Sequence, residues 1–457
     1  MIPRMNLSIL LYYLWVWGAS ACMTEMESRG EHPIYRRQGS GGDGNGTFLP
    51  ISTTDRFAGG NNTPRGVGSQ PGGGPTVSSI MSMAEVKSAS QALAKRFKDV
   101  ELFDAPEKTH NNATFFGLRV GGKGDKGKPG NYRGYSVLLF AAAHARERGG
   151  PDHLLYFVSD LLWAREEKKG LTYGGIRYTA RQVANALDLG LVVIPVANPD
   201  GVTYDQETNS CWRKNRNPKN ATAGDPASIG VDLNRNYDVA WDVDKYMAPE
   251  TIGTDPLFDP RNPASQLYHG SAAFSEPETR NVRWVLDSHP NIGWLADLHS
   301  VAGMVIHGWC FDTIQSDDRD MNWRNPAYDG KRGVLPDRPG FEYREYMDQR
   351  DWDTLSLTAG RIAGGMNNAG TRSFPSWEAM HGVGPSTGCS VDHAYSRHIV
   401  DRSKNKVFGF GIEFGYGNNA AAEQGFCPFY PDQAEFDTTR YTAGAGLMEL
   451  LLQAGKK

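Results

Sequence analysis

One stretch of the chain constrains the fold more than any other. Residues 135–143 form an apolar run of strand length that ends in His144 and Glu147, and a Gly-Gly-Pro break follows. An apolar helical pattern then occupies residues 153–163. A buried strand, a polar loop and a helix in this order are typical of α/β proteins. Open α/β sheets carry their functional sites outside the carboxyl ends of the strands, where these two polar residues fall.

His144 and Glu147 are of types that bind metal. Hydrolytic zinc typically has three protein ligands and one open position for water, and two histidines with a glutamate are one such set. Taken alone, this pair is more typical of an ordinary polar loop. A second strand pattern, residues 293–300, delivers His299 near its end. A zinc site with these three ligands is therefore a hypothesis that the rest of the chain has to support.

A further strand pattern, residues 406–414, ends in a second carboxylate. Side chains alternate between the two faces of a strand, so Glu413 shares its face with Gly409 and Gly411. Glycines in a strand interior often mark a place where something approaches the backbone closely. Glu413 is therefore predicted to lie on an open face at the same edge of the sheet as the histidines.

Composition excludes some classes of function and fold. A net charge of −4 and a pI near 6.3 argue against a nucleic-acid-binding surface. None of the five cysteines is spaced as Cys-x-x-Cys, so a structural cysteine–zinc site is not expected. Apart from Cys22, the four cysteines allow two disulfides in three connectivities that the sequence does not separate: Cys211, Cys310, Cys389 and Cys427.

The N-terminus is predicted to be a secretory signal peptide, residues 1–21. Arg4 precedes a short apolar run, and the small residues 18–21 follow as a cleavage site. That run is too short to span a bilayer, which takes about 20 residues. No transmembrane segment is expected later in the chain, so we predict a secreted protein. Cleavage after Ala21 would leave Cys22 first, and a lipid anchor at Cys22 on a bacterial cell surface is the alternative.

The remainder of the chain divides into a linker and one domain. Residues 22–77 are predicted to be a low-complexity linker, because residues 39–75 are rich in Gly, Asn, Ser and Pro and almost free of apolar residues. Ser82 and Glu85 form a capping box at the first helical pattern. The catalytic domain is therefore placed at residues 78–457, and its alternating strand and helix patterns predict an α/β fold.

Six motifs in this domain carry a resemblance to a known family. They are H-A-R-E at 144–147, N-P-D-G at 198–201, W-R-K-N-R at 212–216, V-D-L-N-R-N at 231–236, D-L-H-S at 297–300 and F-G-I-E-F at 410–414. In type and order they are similar to those of zinc metallocarboxypeptidases of the carboxypeptidase A/B type. The resemblance implies one carboxypeptidase-like domain with a mixed central β-sheet flanked by helices on both faces, and one zinc ion per chain.

The resemblance also implies roles for the residues that carry the chemistry. His144, Glu147 and His299 would bind the zinc ion. Glu413 would be the general base, and Arg213 would stabilise the oxyanion. These types suit the reaction, because a carboxylate has to move the proton of the attacking water and a fixed cation has to meet the charge that develops.

Four further residues would bind the substrate. The resemblance implies that Asn234 and Arg235 hold its C-terminal carboxylate and that Arg146 lines the same subsite. A planar guanidinium group binds a carboxylate through two parallel hydrogen bonds. The family's specificity position corresponds to Val391. An aspartate there would imply a basic C-terminal residue, so Val391 predicts an apolar or aromatic one.

The chain departs from the family pattern around the cleft. The family's substrate-capping tyrosine should fall near Gly384, and His381, Tyr395 and Tyr416 remain open as substitutes. The tyrosine that usually follows His-Ser is Val301. Residues 247–269, rich in Pro and Asp, are interpreted as an inserted surface loop.

The combined prediction is a secreted, zinc-dependent metallocarboxypeptidase that releases the C-terminal residue of peptides or proteins. One alternative is a zinc amidase or deacylase that acts on a small amide or a cell-wall peptide. A requirement for a free substrate carboxylate would separate these two. The other alternative is a catalytically silent, carboxypeptidase-like binding protein, and the presence of Glu413, Arg213 and all three ligands counts against it.

Overall fold

A mixed sheet of eight strands forms the centre of the molecule. The structure is a computed structural model that describes residues 46–123, 127–253, 255–335 and 339–456. The predicted signal peptide, residues 1–21, and Cys22 lie outside the described residues. The strands in chain order are β1 (Val100–Lys108), β2 (Thr114–Val120), β3 (Val137–Ala141), β4 (Leu171–Tyr173), β5 (Ile176–Tyr178), β6 (Leu191–Ile194), β7 (Trp294–His299), β8 (Met304–His307), β9 (Ile314–Gln315), β10 (Glu345–Tyr346), β11 (Ser376–Glu378) and β12 (Phe408–Glu413).

The order of strands in this sheet is β1-β2-β6-β3-β7-β12-β8-β11. The four central strands β6, β3, β7 and β12 run parallel, and antiparallel strands flank them on both sides. Because parallel strands end at the same edge of a sheet, the segments that follow β3, β7 and β12 meet there. The strand order thus brings together three motifs that are far apart in sequence.

Helices cover both faces of the sheet. Their bounds in chain order are α1 (Met83–Arg96), α2 (Gly150–Glu166), α3 (Ala180–Asp188), α4 (Pro199–Thr208), α5 (Val243–Tyr246), α6 (Pro277–Ser288), α7 (Gln349–Ala369), α8 (Ala379–Val383), α9 (Ser390–Val400), α10 (Asn419–Glu423) and α11 (Gln433–Ala454). Within the described ranges, no helix combines the length and apolar character that crossing a bilayer requires.

The residues of β3 explain why two faces need covering. All five are buried. Val137 and Leu139 pack in one hydrophobic cluster with α2, α7 and α11. Leu138 and Phe140 point the other way, into a cluster with α6 and α9. A strand that is apolar on both faces is typical of a parallel strand with helices on each side. The predicted α/β fold with a mixed central sheet is confirmed.

Two helices that lead into the site begin at a proline. In Asn198-Pro-Asp-Gly, Pro199 occupies the first helical position of α4 and the Asn198 side chain accepts a hydrogen bond from the Gly201 amide. Helix α6 starts at Pro277 after Glu276, and the Ser275 hydroxyl donates to Glu276 Oε1.

Residues 46–77 are not a free linker. Phe48 and Ile51 are buried against the domain, and Ser52 donates its backbone amide to the Ile80 carbonyl oxygen. The amide of Gly68 donates to the buried carboxylate of Asp160. A few apolar side chains and many backbone hydrogen bonds anchor the segment, which its composition alone did not predict.

The structure selects one of the three disulfide connectivities. Cys211 pairs with Cys427 at a Cα–Cα distance of 5.3 Å. Cys310 pairs with Cys389 at 6.7 Å. The first bridge ties the segment before Arg213 to the segment before α11, and the second ties the chain after β8 to the start of α9. The first bridge therefore braces the loop that carries Arg213.

A buried histidine of α2 leads to a pH prediction. Burial and the nearby Arg440 lower the pKa of His153 from 6.5 to about 3. The unfolded chain therefore takes up this proton first, and its contribution to stability is complete above pH 6.5 and declines as the pH falls toward 3. We expect His153→Gln to reduce the slope of unfolding free energy against pH, between about pH 4 and 6, by about 1.4 kcal/mol per pH unit. Urea titrations at several pH values measure this slope, and an unchanged slope would mean that folded His153 is protonated.

Candidate active site

The three predicted metal ligands meet at the carboxyl edge of the sheet. His144 and Glu147 follow β3, and His299 is the last residue of β7. Their ligand atoms all lie within 4.8 Å of one another. Glu147 bridges the two imidazoles, with Oε1 2.7 Å from His144 Nδ1 and Oε2 2.9 Å from His299 Nδ1. All three side chains are buried. We call this set the ligand group.

Each imidazole of the ligand group is oriented by a carboxylate behind it. His144 Nε2 lies 3.0 Å from Asp232 Oδ1. His299 Nε2 lies 2.9 Å from Asp297 Oδ2, which also accepts a hydrogen bond from the Ser390 hydroxyl. Metal-binding histidines in proteins usually direct their second nitrogen to such a partner, which fixes the ring and raises its basicity. Both imidazoles are thus held with Nδ1 toward the centre of the group.

The donor set fits zinc. Two imidazole nitrogens and a carboxylate are a known zinc set, and the two Nδ1 atoms face each other at 3.1 Å. A second cluster of metal-binding types, formed by Cys310, Cys389 and Asp392, does not fit, because its two cysteines are joined in a disulfide. Among the described residues, the ligand group is therefore the site suited to a hydrolytic metal ion.

Glu413 lies directly beside the ligand group. It is the last residue of β12, and its Cα is the register partner of the His299 Cα on β7. Its carboxylate accepts a hydrogen bond of 3.2 Å from the Ala302 amide. Burial first, and then the negative charge of Glu147, raise the pKa of Glu413 above its usual range. A carboxylate whose pKa is raised toward neutrality is suited to accept and then donate a proton.

Glycines on the same face of β12 have a packing reason. A Cβ built at Gly409 would lie within 3.1 Å of the Cα, Cβ and carbonyl oxygen of Val391, and one at Gly411 would lie 2.7 Å from the Ile306 side chain. The glycines let α9 and β8 approach the strand closely. The open space predicted on this face is therefore filled by protein at these two positions.

Arg213 is fixed beside the ligand group. Its Nε and Nη2 donate to Asp232 Oδ2 at 3.0 and 2.9 Å, and its Nη1 lies 3.9 Å from Glu147 Oε1. Burial alone would raise the pKa of Asp232, but the charges of Arg213 and His144 hold it well below its usual range. Asp232 thus orients a metal-ligand histidine and a cation with one carboxylate.

Asn234 and its neighbour Arg235 lie on the side of the ligand group that carries His299. Asn234 Nδ2 lies 3.3 Å from His299 Nε2, and its Oδ1 accepts a hydrogen bond from the Ser390 amide. Arg235 donates from Nη1 to the Asn234 carbonyl oxygen at 2.8 Å and lines a cavity of about 200 Å³. The cavity is lined mainly by apolar residues of the predicted insertion and by the turn after α8.

Two predicted substrate-binding residues lie away from open space. Arg146 is completely buried, with its guanidinium group 4.1 Å from the centre of the Phe429 ring. Val391 is 4% exposed and packs in the hydrophobic cluster that includes α6 and α9. It is not among the described residues that line the cavity beside Arg235.

The structure also places the residues considered as substitutes for the capping tyrosine. The Tyr395 hydroxyl is buried and donates to Asp351. The Tyr416 hydroxyl donates to the Ser373 carbonyl oxygen, and His381 is exposed beside Glu378. None of the three is among the described residues that line the cavity, whereas Gly384 is.

Comparison with known proteins identifies the family. The profile described as zinc carboxypeptidase, peptidase M14, matches residues 86–439. The chain belongs to the zinc carboxypeptidase family. This match includes every residue of the ligand group together with Asp232, Arg213 and Glu413. In a zinc carboxypeptidase a catalytic zinc ion is the cofactor, and His144, Glu147 and His299 are the residues of this chain suited to hold it.

Individual relatives of this zinc carboxypeptidase match part of its length. Zinc carboxypeptidase A 1 of Anopheles gambiae is 34% identical over 192 residues, which are 42% of this chain and 35% of that protein. Carboxypeptidase B of Bos taurus is 32% identical over 188 residues, 41% of this chain and 38% of that protein. These matches thus span little more than a third of each relative.

Solved structures support the fold. The crystal structure of carboxypeptidase A from Helicoverpa armigera superposes with a TM-score of 0.58 at 22% identity, covering 82% of this chain and 74% of that one. Thrombin activatable fibrinolysis inhibitor superposes with a TM-score of 0.57 at 19% identity, covering 83% and 75%.

Sequence reasoning missed the residues behind the ligand group. Asp232 lies in the V-D-L-N-R-N motif and Asp297 in the D-L-H-S motif, but the sequence alone assigned neither of them a function. A signal existed for Asp297, which is two residues before His299 and therefore on the same face of β7. Asn198 was also missed: its side-chain amide donates to the carbonyl oxygens of Ala143 and Lys214. It thereby joins the His144 and Arg213 loops.

Proposed function

We propose that this protein is a metallocarboxypeptidase that hydrolyses the last peptide bond of peptides or proteins. The observation that carries the proposal is the placement of Glu413 beside the ligand group, at the position paired with His299. A bound zinc ion would supply a Lewis acid that polarises the scissile carbonyl group and acidifies a water molecule. The chain's own residues supply the proton transfer and the substrate contacts.

Glu413 is proposed to carry the proton through the reaction. Its carboxylate lies at the carboxyl end of β12, beside the ligand group and buried from bulk water. It accepts a proton from the attacking water and donates it to the amine of the departing residue. Arg213, already aligned by Asp232, is proposed to stabilise the negative charge that develops on the carbonyl oxygen.

Asn234 and Arg235 are proposed to select substrates with a free C-terminal carboxylate. An internal peptide segment lacks the carboxylate that Arg235 would bind, and the loss of this charge-assisted contact costs binding energy. This requirement makes the enzyme an exopeptidase. Arg146 is buried with its guanidinium group over the Phe429 ring, so we assign it a supporting position in the wall of this subsite.

The proposal extends to where the protein acts. The charged, apolar and small-residue regions within residues 1–21 support export through a signal peptide. The two disulfides suit an oxidising compartment. A lipid anchor at Cys22 remains the alternative to a fully released protein, and mass spectrometry of the exported protein distinguishes the two.

The proposed activity is tested with N-blocked dipeptides that end in phenylalanine, with and without o-phenanthroline. Release of phenylalanine that the chelator abolishes is the expected result. The same dipeptide with a C-terminal amide is the matched control and should be cleaved far more slowly. Equal cleavage of the amide would favour an amidase. No cleavage by a zinc-loaded protein would favour a binding protein.

Arg235 gives a sharper form of this test. We expect Arg235→Gln to lower kcat/KM for the free-acid dipeptide by roughly 10- to 150-fold, because a hydrogen bond to a charged group contributes about 1.5–3 kcal/mol. The effect should lie mainly in KM, since the bond to the carboxylate exists before and during the reaction. The slow cleavage of the amide should hardly change. Equal losses for acid and amide would contradict the assignment.

A further inference from the structure

We propose that Phe48 is a positioning residue for Arg213. Phe48 lies in the segment that precedes the part of the chain matched by the family, residues 86–439. The inference rests on the proposed carboxypeptidase activity, in which Arg213 stabilises the charge that develops on the carbonyl oxygen. It follows that residues 46–51 belong to the active enzyme, and that removal of this segment lowers activity.

Phe48 fills an aromatic cluster behind the loop that carries Arg213. Its side chain is 2% exposed, and its ring centre lies 5.4 Å from those of both Phe426 and Tyr430. The same hydrophobic cluster contains both cysteines of the first disulfide, Cys211 and Cys427. The segment before the family match thus contributes to the packing around this bridge.

Backbone hydrogen bonds fix the position of Phe48 in this cluster. The Leu49 amide donates at 2.9 Å to a backbone carbonyl oxygen of the segment before α11. The Asn418 side-chain amide donates to the Thr47 carbonyl oxygen at 2.7 Å and to the Tyr430 carbonyl oxygen at 2.9 Å. The chain is therefore held immediately before and after Phe48, so its ring is directed at Tyr430 by the backbone as well as by packing.

Tyr430 connects the cluster to the loop that carries Arg213. Its hydroxyl donates to Asp205 Oδ1 at 2.6 Å and accepts a hydrogen bond of 2.9 Å from the Cys211 amide. The same oxygen of Asp205 accepts a hydrogen bond from the Trp212 amide at 2.9 Å. One phenol and one buried carboxylate therefore hold the two backbone amides that precede Arg213.

Two side chains hold the Tyr430 ring in turn. One is Phe48, and the other is Arg148, whose guanidinium group lies 3.4 Å from the ring centre. Replacing Phe48 by alanine would leave a cavity on which the neighbouring side chains collapse only in part. A shift of the Tyr430 ring into this space would move the hydroxyl that binds the loop before Arg213.

Such a shift affects the reaction because Arg213 acts through its position. A cation stabilises a developing charge best when it is fixed before the reaction starts, and a displacement of about 1 Å can lower a rate by about 100-fold. Asp232 still binds the guanidinium group in the absence of Phe48. We therefore expect a partial loss of kcat with little change in KM.

The experiment measures kcat and KM of Phe48→Ala in zinc-loaded, full-length protein with the free-acid phenylalanine dipeptide. We expect kcat to fall by roughly 10- to 100-fold. Phe57→Ala is the matched control, because Phe57 is in the same segment and 4% exposed but packs in the cluster that includes Val86 and Leu93 of α1. This control should keep kcat within about twofold of the wild type even where it lowers stability. Equal losses of kcat in both variants would overturn the inference.

A double substitution tests whether Phe48 acts through Arg213. In the Arg213→Gln background, Phe48→Ala should lower kcat by less than about twofold, because the group that Phe48 positions is already absent. The same fold loss in both backgrounds would overturn the inference. Phe48→Leu, which refills much of the space, should keep kcat closer to the wild-type value than Phe48→Ala does.

Tyr430→Phe carries the test where Phe48→Ala fails to fold. This change removes only the hydroxyl that joins the cluster to the Cys211 amide and to Asp205. It should lower kcat by about tenfold when Arg213 is present and by less than about twofold in Arg213→Gln. An unchanged kcat in Tyr430→Phe would overturn the inference.

The N-terminus of the active protein tests the consequence for activation. Mass spectrometry of the species that hydrolyses the dipeptide should find residues 46–51 present. Activity confined to a species that begins after residue 51 would overturn the inference. Absence of hydrolysis by every zinc-loaded species would instead overturn the proposed activity, which keeps the two failures apart.

Discussion

Replacing Glu413 by glutamine is expected to lower kcat by about 10²- to 10⁴-fold, the range typical of a lost general base. The glutamine side chain has nearly the same shape as the glutamate side chain, and its oxygen can still accept the hydrogen bond from the Ala302 backbone amide. The neutral side-chain amide of glutamine cannot accept a proton from water. Because Glu413 acts on the proton rather than on the ground-state substrate, KM should change little. Steady-state kinetics on the free-acid phenylalanine dipeptide measure both constants.

Glu435→Gln is the matched control for this variant. Glu435 is also a carboxylic acid whose pKa is raised by burial, but its partner is the Tyr416 amide rather than the ligand group. The control should therefore keep kcat within a few-fold of the wild type. Turnover by Glu413→Gln at the wild-type rate would remove Glu413 from the mechanism and leave the proton transfer to another group.

Replacing His299 by alanine is expected to abolish both zinc binding and hydrolysis. The substitution removes one of three ligands and leaves Asp297 as a buried carboxylate without its imidazole partner. We expect zinc content after dialysis to fall from about one ion per chain to nearly none. Because the Lewis acid contributes several kcal/mol to the transition state, kcat/KM should fall by about 10³-fold or more. Metal analysis by mass spectrometry is independent of activity.

His398→Ala is the control for the metal experiment. His398 lies near the end of α9, and its Nδ1 contacts the Tyr395 carbonyl oxygen. Its replacement should leave the zinc content unchanged. Added zinc should restore activity to wild-type protein treated with chelator but not to His299→Ala. Full zinc content and activity in His299→Ala would contradict the ligand assignment.

The sequence alone determined the fold class and the chemistry of the centre. The apolar strands that end at or near His144, His299 and Glu413 can be recognised from short stretches of sequence. A buried strand needs apolar residues, and a metal ion needs specific donor types. The short motifs around Arg213 and Arg235 added the predicted substrate contacts. These features do not depend on how distant segments pack, so they can be interpreted from the order of residues.

Only the tertiary structure decided what surrounds that centre. The carboxylates behind the two imidazoles, the pairing of the cysteines and the docking of residues 46–77 each join positions far apart in the chain. A pattern of residue types does not specify such partners. The cavity beside Arg235, lined in part by Met247, Ile252 and Phe258, is likewise formed by segments that are far apart in the chain. Which side chains face a common space depends on the packing of several loops at once.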